Sequence, residues 1–466
     1  MTPDTALAHS IRQDLTQFAG ILRTNGHNWD VMGLNSRFNP DNTLSLAQVK
    51  EYWRIFLAGK KTGDPAAKNI DFYVNIPFCR SICSYCHFHS STPRKGEIGG
   101  YVDNLLWNFK FFSPVFKGFA FRNLYIGGGT PSLLSEHQLK QLLDGLFKNF
   151  SFSHTGQKTF ESNPGSACSS HFRTLKEFGF TSVSFGVQSL RPSVLRLNNR
   201  HYKDSESVLT AIARAKKAGF GDINADLIAG LAGDDVDGFK QSFTRLSKFL
   251  PHNIVVYGLL PGNRYLAEKL KMSSSYYFTR YYPALIKKLL PFMREFSEKA
   301  GYTTDLLEPF KWHWGFRRHG QASPDPKTNY SGEHCVCVFG VGLFSMSSIP
   351  KILQYRQTML PAKTNPSAKT HKARRYTPRE AMLGFIINKF DQGSRISTAE
   401  FSQTFGITLD AAFPYALRAL TFLKVLDRQP EFYVFNFARC EHKYIYTLFF
   451  FREQGHTVTD TARGPR

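Results

Sequence analysis

The chain has 466 residues, 42% of them hydrophobic, enough for one large domain with a sizeable core and a smaller second one. Lys and Arg outnumber Asp and Glu by 59 to 36, a net charge of +23 that favours a polycarboxylate, an anionic membrane surface or a nucleic acid as partner. Two classes are excluded: no apolar run approaches the roughly 20 residues that cross a bilayer, and seven cysteines, odd in number with three clustered, do not make a disulfide framework.

Residues 1 to 66 read as an N-terminal helical extension and linker. Ile11, Leu15, Phe18, Ile21 and Leu22 recur at helical spacing, and Gly59-Lys-Lys-Thr-Gly-Asp-Pro65 then breaks the helix. Asp4, His9, Arg12 and Asp14 leave no apolar signal core, so the expected compartment is the reducing cytoplasm.

Residues 67 to 350 alternate short β-rich runs with longer amphipathic ones. Strands are predicted at Asp71–Ile76, Leu124–Gly127, Thr159–Ser162, Ser182–Val187, Ile223–Ile228 and Ile254–Leu260. Helices such as Glu136–Phe147, Ser207–Ala218 and Asp237–Phe249 lie between them. Six such units imply an α/β fold with a parallel sheet, either curved into a partial (β/α) barrel or flat and doubly wound. Residues 275 to 350 are less regular.

Residues 351 to 376 read as a basic, Pro-containing connector ending in Lys369-Thr-His-Lys-Ala-Arg-Arg375. Helices at Pro378–Phe390, Ser397–Phe405 and Ala412–Leu426, with a β-like run Glu431–Phe437, predict a winged-helix-like domain over 377 to 454. Residues 455 to 466 are expected to be a disordered tail. The basic residues are spread along the chain, so a solvated surface accounts for the charge better than a nucleic-acid groove. The apolar stretch Ile445-Tyr-Thr-Leu-Phe-Phe-Phe451 is expected to pack this domain against the core.

Three of the cysteines fall within eight residues after the first strand, in Tyr73-Val-Asn-Ile-Pro-Phe-Cys-Arg-Ser-Ile-Cys-Ser-Tyr-Cys86. Their spacing is C-x3-C-x2-C. Cys79, Cys83 and Cys86 would hold three irons of a [4Fe-4S] cluster and leave the fourth open to an exogenous chelator. Zinc remains an open reading, because a closed site wants a fourth Cys or His and His87 and His89 stand nearby.

The triad, with the preceding strand and Ile76-Pro77-Phe78, resembles the radical S-adenosylmethionine (SAM) superfamily. Within it the likeness is to the branch of oxygen-independent coproporphyrinogen III oxidase and its haem-chaperone relatives, and it covers roughly residues 70 to 450. The resemblance implies a partial (β/α)6 radical SAM barrel, a cluster on Cys79, Cys83 and Cys86, and SAM on the open iron. One electron from the cluster then cleaves SAM to a 5'-deoxyadenosyl radical.

The resemblance also implies a SAM site along successive strand ends. Gly128, Gly129 and Thr130, in Gly127-Gly-Gly-Thr-Pro131, match the segment that holds the SAM amino group. Glu161, Gln188, Arg200 and Asp226 match SAM-contacting positions, Tyr73 a tyrosine near SAM, and Tyr85 an aromatic that contacts adenine. Gly340-Val-Gly342 matches a late glycine turn beside the site. The chemistry agrees: a carboxylate suits ribose hydroxyls, Arg suits the SAM carboxylate, and Gln serves as donor or acceptor. Singly, each has an ordinary structural role open to it, as half an ion pair, a strand-end cap or a buried acceptor; their shared order favours a ligand.

Asn75 stands where the family has His, and His87-Phe88 follows the third cysteine where the oxidase has Gly-Cys and the chaperone Asp-Phe. The oxidase's N-terminal Arg-Tyr-Thr-Ser-Tyr-Pro stretch has no counterpart. The expected reaction is therefore hydrogen abstraction from an anionic, tetrapyrrole-like substrate, with no catalytic residue assigned and a low-potential donor such as flavodoxin or ferredoxin. The alternatives are a haem-binding chaperone that keeps the cluster, and a radical SAM methyltransferase or ring-opening enzyme using two SAM molecules. His313, Arg317, Arg318 and His319, interleaved with Trp312, Trp314 and Phe316, are the substrate-side candidate, because cations and aromatic planes suit a flat polycarboxylate. A solvent-facing loop with its aromatics tucked into the core fits the same pattern.

Overall fold

The structure, a computed structural model, describes residues 3–25, 42–59, 69–201, 204–304, 313–320, 337–360, 365–392, 395–436 and 448–452. The predicted linker from Lys60 to Pro65, Trp312 and the tail from Gly455 lie outside the described residues.

The six predicted strands are present, each within two residues of its expected ends: β1 Ile70–Ile76, β2 Leu124–Gly128, β3 Lys158–Ser162, β4 Ser182–Gln188, β5 Asp222–Ala229 and β6 Asn253–Gly258. They pair in chain order, and every pair is parallel. A doubly wound sheet reverses its order midway. An order that follows the chain, joined by right-handed crossovers, instead puts every helix on one face and lets the sheet curl around the other. The order thus decides between the two architectures left open by the periodicity, in favour of the curved one.

Alternation along β5 shows the two faces. Ile223, Ala225, Leu227 and Ala229 are fully buried under the helices, while Asp222, Asn224, Asp226 and Ile228 turn toward the barrel interior. Polar side chains on the inner face of successive strands can therefore meet in one place.

Among the described residues one thirteen-stranded sheet continues beyond both edges of this core. Past β6 come β7 Tyr302–Thr304 and β8 His313–Arg318, with β8 antiparallel to β6. Past β1 comes β9 Cys337–Val341, parallel to it, followed by antiparallel β10 Met346–Ile349, β11 Leu353–Gln357 and β12 Lys369–Arg375. The basic connector expected over 351–376 thus contains the strands β11 and β12. Its alternation was masked because the buried positions of β12 are Thr370, His371 and Ala373, only one of them apolar.

The N-terminal region is not one extension either. A strand Asn42–Ser45 closes the sheet edge against β12, and the helix after it starts with a capping box in which Ser45 and Gln48 exchange bonds. Helix α1, Pro3–Asn25, buries Ile11 and Phe18 in the C-terminal core, with Phe18 edge-on to Phe449 at 5.2 Å and the Tyr415 hydroxyl donating to Asp14. That core is separate from the barrel's. It is built from helices Pro378–Gln392, Thr398–Phe405 and Pro414–Phe422 and a three-stranded sheet ordered Arg395–Ser397, Phe432–Phe435, Leu426–Arg428, a winged-helix-like arrangement. Pro414 starts the last helix, two residues after the expected Ala412, and Leu426 belongs to a strand. Leu448, Phe449 and Phe450 fill this second core itself rather than docking it on the barrel. Among the described residues no helix is long and apolar enough to cross a membrane.

Candidate functional site

The cysteine loop leaves β1 at Ile76 and is pinned from two sides. Cys79 N–H donates to Ser91 O at 3.0 Å and Ser91 N–H to Pro77 O at 2.9 Å, while Ser84 N–H donates to Asn198 O at 3.0 Å. The three thiols are free and partly exposed. Thr130 Oγ1 donates to Cys79 Sγ at 3.4 Å, and Arg200 Nη1 to Cys83 Sγ at 3.5 Å. The two histidines that kept zinc open are engaged elsewhere: His87 Nε2 bonds the carbonyl of Leu260, and the His89 ring stacks on Phe344 at 4.8 Å. Among the described residues no three Cys, His, Asp or Glu side chains converge on one ion. Three thiols on one short loop are the donor type that binds separate irons of a [4Fe-4S] cluster.

The glycine run after β2 packs against the protein's own site atoms. Gly128 has φ +117°, and a methyl there would collide with Asn75 Oδ1. A methyl at Gly129 would sit 2.7 Å from Phe78 O and 2.9 Å from Cys79 Sγ. The run thus lets β2 close onto the cysteine loop. Asn75 is held in turn: Tyr73 OH donates to its Oδ1 at 2.8 Å, its Nδ2 donates to Leu343 O at 2.6 Å, and Tyr101 OH donates to its backbone carbonyl at 2.7 Å. Gly342, in the predicted late glycine turn, has φ +106° and would lie 2.7 Å from that same carbonyl with a methyl added. The turn is therefore brought to the site.

Glu161 lies one residue before the end of β3, on the inner face. Its Oε1 accepts from Tyr125 OH at 2.5 Å and its Oε2 from Gly128 N–H at 3.0 Å. Withdrawal from water raises its pKa above the usual carboxylate range, and the two bonds oppose that. Asp226 in β5 accepts from Asn224 Nδ2 at 2.7 Å and from Ser184 Oγ at 3.4 Å. Burial, with the Glu161 charge adding to it, pushes Asp226 up to about 7 against those bonds.

Gln188 ends β4 at a register shift, with φ +69°. Its side-chain Oε1 is buried without a hydrogen-bond partner in the protein, as is Asn224 Oδ1. A strained non-glycine residue with an orphaned buried acceptor is the feature expected where a ligand supplies the missing donor. Arg200, on the turn after helix Pro192–Leu197, donates through Nη2 to Gly186 O beside it. A methyl on Gly186 would lie 2.8 Å from Gln188 Nε2 and 3.0 Å from Arg200 Nη2, so these three positions meet. Tyr85 packs instead against the small apolar cluster of Val194, Leu231, Leu259 and Tyr265.

The substrate-side candidate is divided. Trp314 and Phe316 are buried on the helix-facing side, with Phe316 edge-on to Phe243 at 5.0 Å. His313 lies opposite Tyr257, their rings 6.1 Å apart, at the end of β6 where the site opens. Because β8 runs antiparallel, Arg317 pairs with Asn253 at the other end of β6, about 14 Å away at a strand rise of ~3.4 Å per residue. Arg317, Arg318 and His319 are thus removed from the site. Tyr125 and Tyr257 were missed; their place two residues apart from inner-face neighbours on β2 and β6 is the period-2 signal that finds them.

Residues 73–246 match the family model described as Radical SAM superfamily. The chain is 33% identical to the haem chaperone HemW of Lactococcus lactis subsp. lactis over 189 residues, which is 40% of this chain and 48% of that protein. It is 25% identical to HemW of Bacillus subtilis over 362 residues, 75% of this chain and 90% of that one. It is 30% identical to the oxygen-independent coproporphyrinogen III oxidase of Escherichia coli over 189 residues, 40% of this chain and 41% of the oxidase. The matches to the first and third relatives thus span about half their length or less. The solved structure of the Escherichia coli coproporphyrinogen III oxidase HemN superposes with a TM-score of 0.71 at 20% identity, covering 86% of this chain and 93% of that one, a likeness of fold.

Proposed function

We propose that this chain, a radical SAM protein of the branch that includes haem chaperones and oxygen-independent coproporphyrinogen III oxidase, binds a [4Fe-4S] cluster through Cys79, Cys83 and Cys86 and SAM across the strand ends beside it. When bound, cluster and SAM together supply a one-electron cleavage that yields a 5'-deoxyadenosyl radical able to abstract hydrogen. The observation that carries the reading is Gln188, strained and with an orphaned buried acceptor, next to Arg200, which also contacts Cys83 Sγ.

The chain's own residues have distinct parts in this. Thr130 and Arg200 donate to two of the ligand sulfurs, and such bonds tune a cluster's potential. Glu161 fixes Gly128 and so the turn that faces the cluster. Gln188 and Asn224 offer acceptors to the donor groups of SAM, and the Arg200 cation suits its carboxylate. His313 and Tyr257 flank the opening through which an anionic, tetrapyrrole-like substrate reaches the site.

Anaerobic iron and sulfide analysis with electron paramagnetic resonance, with and without SAM, tests the core of this reading. A cluster spectrum that changes on adding SAM is expected; tetrahedral zinc in the loop defeats it. Release of 5'-deoxyadenosine with a tetrapyrrole substrate tests the reaction. The match to a haem chaperone over 75% of this chain and 90% of that one supports a second reading, transfer of haem without turnover. A Soret band on haem titration, with no substrate-dependent SAM cleavage, distinguishes it.

A further inference from the structure

Two segments frame the outer edge of the cysteine loop. Residues 77–91 and 192–201 are clipped together by Ser84 N–H to Asn198 O at 3.0 Å and by Asn199 Nδ2 to Ile82 O at 2.6 Å. Neither segment contains an Asp or Glu. Each exposes one arginine, Arg80 or Arg196, beside an exposed aliphatic, Ile82 at 38% or Leu197 at 44%. Among the described residues neither arginine is in an ion pair. The carboxylates on the flank near Leu197, Asp234 and Asp235, are held by Arg191 at 3.1 and 3.2 Å. The two clipped segments thus carry exposed cations and exposed apolar side chains and no carboxylate of their own.

We propose that this patch is the docking surface for an acidic, low-potential one-electron carrier protein. The inference rests on the cluster reading, because that cluster needs one electron from outside for each SAM cleaved. The electron leaves the carrier and reduces the cluster, and no bond is made or broken in that step. A carrier seated here lies against the loop that bears the ligand sulfurs, and Arg200, which contacts Cys83 Sγ, belongs to the same turn as Asn199. Small interfaces steered by opposite charge are typical of transient redox encounters. The occupant follows from charge complementarity: two arginines outside any ion pair among the described residues, on two segments that contain no Asp or Glu, select an acidic face.

The test uses the full chain, reconstituted without air, with photoreduced flavodoxin or dithionite as reductant. In the double variant Arg80→Glu/Arg196→Glu the rate of cluster reduction by flavodoxin is expected to fall at least about tenfold at low salt. Reduction by dithionite and the SAM-induced spectral change should stay as in wild type. The wild-type rate with flavodoxin should also drop steeply as ionic strength rises. Equal flavodoxin rates in variant and wild type, or a rate indifferent to salt, overturn the proposal. So does arginine-dependent binding to anionic phospholipid vesicles in place of flavodoxin. If the charge reversal misfolds, Arg80→Gln/Arg196→Gln and the wild-type salt dependence decide. Wild type that assembles no cluster removes the parent reading as well, which the iron content reports before any carrier is added.

Discussion

Glu161 and Gly128 hold each other in place: the carboxylate accepts the glycine N–H at 3.0 Å, and a methyl on neighbouring Gly127 would sit 2.7 Å from that same oxygen. The end of β3 thereby fixes the turn after β2, and with it the approach of Gly129 to Cys79. Glu161→Gln keeps the shape but removes the anionic acceptor shared by Tyr125 and Gly128. Bonds to charged groups are worth about 1.5–3 kcal/mol. SAM affinity of the reconstituted protein is expected to drop about 10- to 100-fold in anaerobic equilibrium dialysis, with circular dichroism unchanged.

Gln188 trades stability for a ligand. A non-glycine residue in the left-handed region costs about 1 kcal/mol or more, and here the same residue leaves a buried oxygen unpaired. Gln188→Gly should therefore stabilise the ligand-free chain by about 1 kcal/mol in urea unfolding and weaken SAM binding about tenfold. Gln188→Ala keeps the strain and loses the amide, so it should weaken SAM without the full gain. Loss of stability in the glycine variant would show that the backbone is not strained there.

The five described cysteines divide into two groups that iron content separates. Replacing Cys79, Cys83 or Cys86 by Ala should each lower iron from about four per chain to less than about one. Cys168 is hydrogen-bonded to Ser170 and His171 at 3.1 Å, and Cys337 is buried in β9, so Cys168→Ala and Cys337→Ala should keep the cluster. Equal loss in all five would argue that the fold, not ligation, had failed.

Legibility followed apolar alternation. The six core strands could be read because positions such as Ile223, Ala225 and Leu227 bury apolar side chains at every second step. The strand β12 could not, since Thr370 and His371 occupy its buried positions amid Lys and Arg. Nor could the docking of α1 on the C-terminal core, because Ile11 and Phe18 mark an apolar stripe and not its partner. At the site, Gly128, Glu161, Gln188 and Asp226 lie on successive strands of one curved sheet and Cys79 follows the strand before them, which is why their order along the chain was legible. The segment around His313 misled because an antiparallel strand carries Arg317 and Arg318 away from the opening.

Asp226 gives the molecule a pH dependence whose sign is fixed. Its carboxyl rises from an ordinary 3.8 to about 7 in the fold, mainly through burial and then through the Glu161 charge. Between these values the folded chain holds the proton more tightly than the unfolded one, so stability falls as pH rises from about 4 to about 7 and levels off above. Asp226→Asn removes this titration while keeping an oxygen for Asn224 to donate to. Relative to wild type, the variant should therefore gain about 1–3 kcal/mol between pH 5 and pH 8. Urea unfolding at the two pH values measures the difference. Parallel pH profiles in variant and wild type would mean that Asp226 stays ionised in the fold, and that a water or cation inside the barrel compensates its charge.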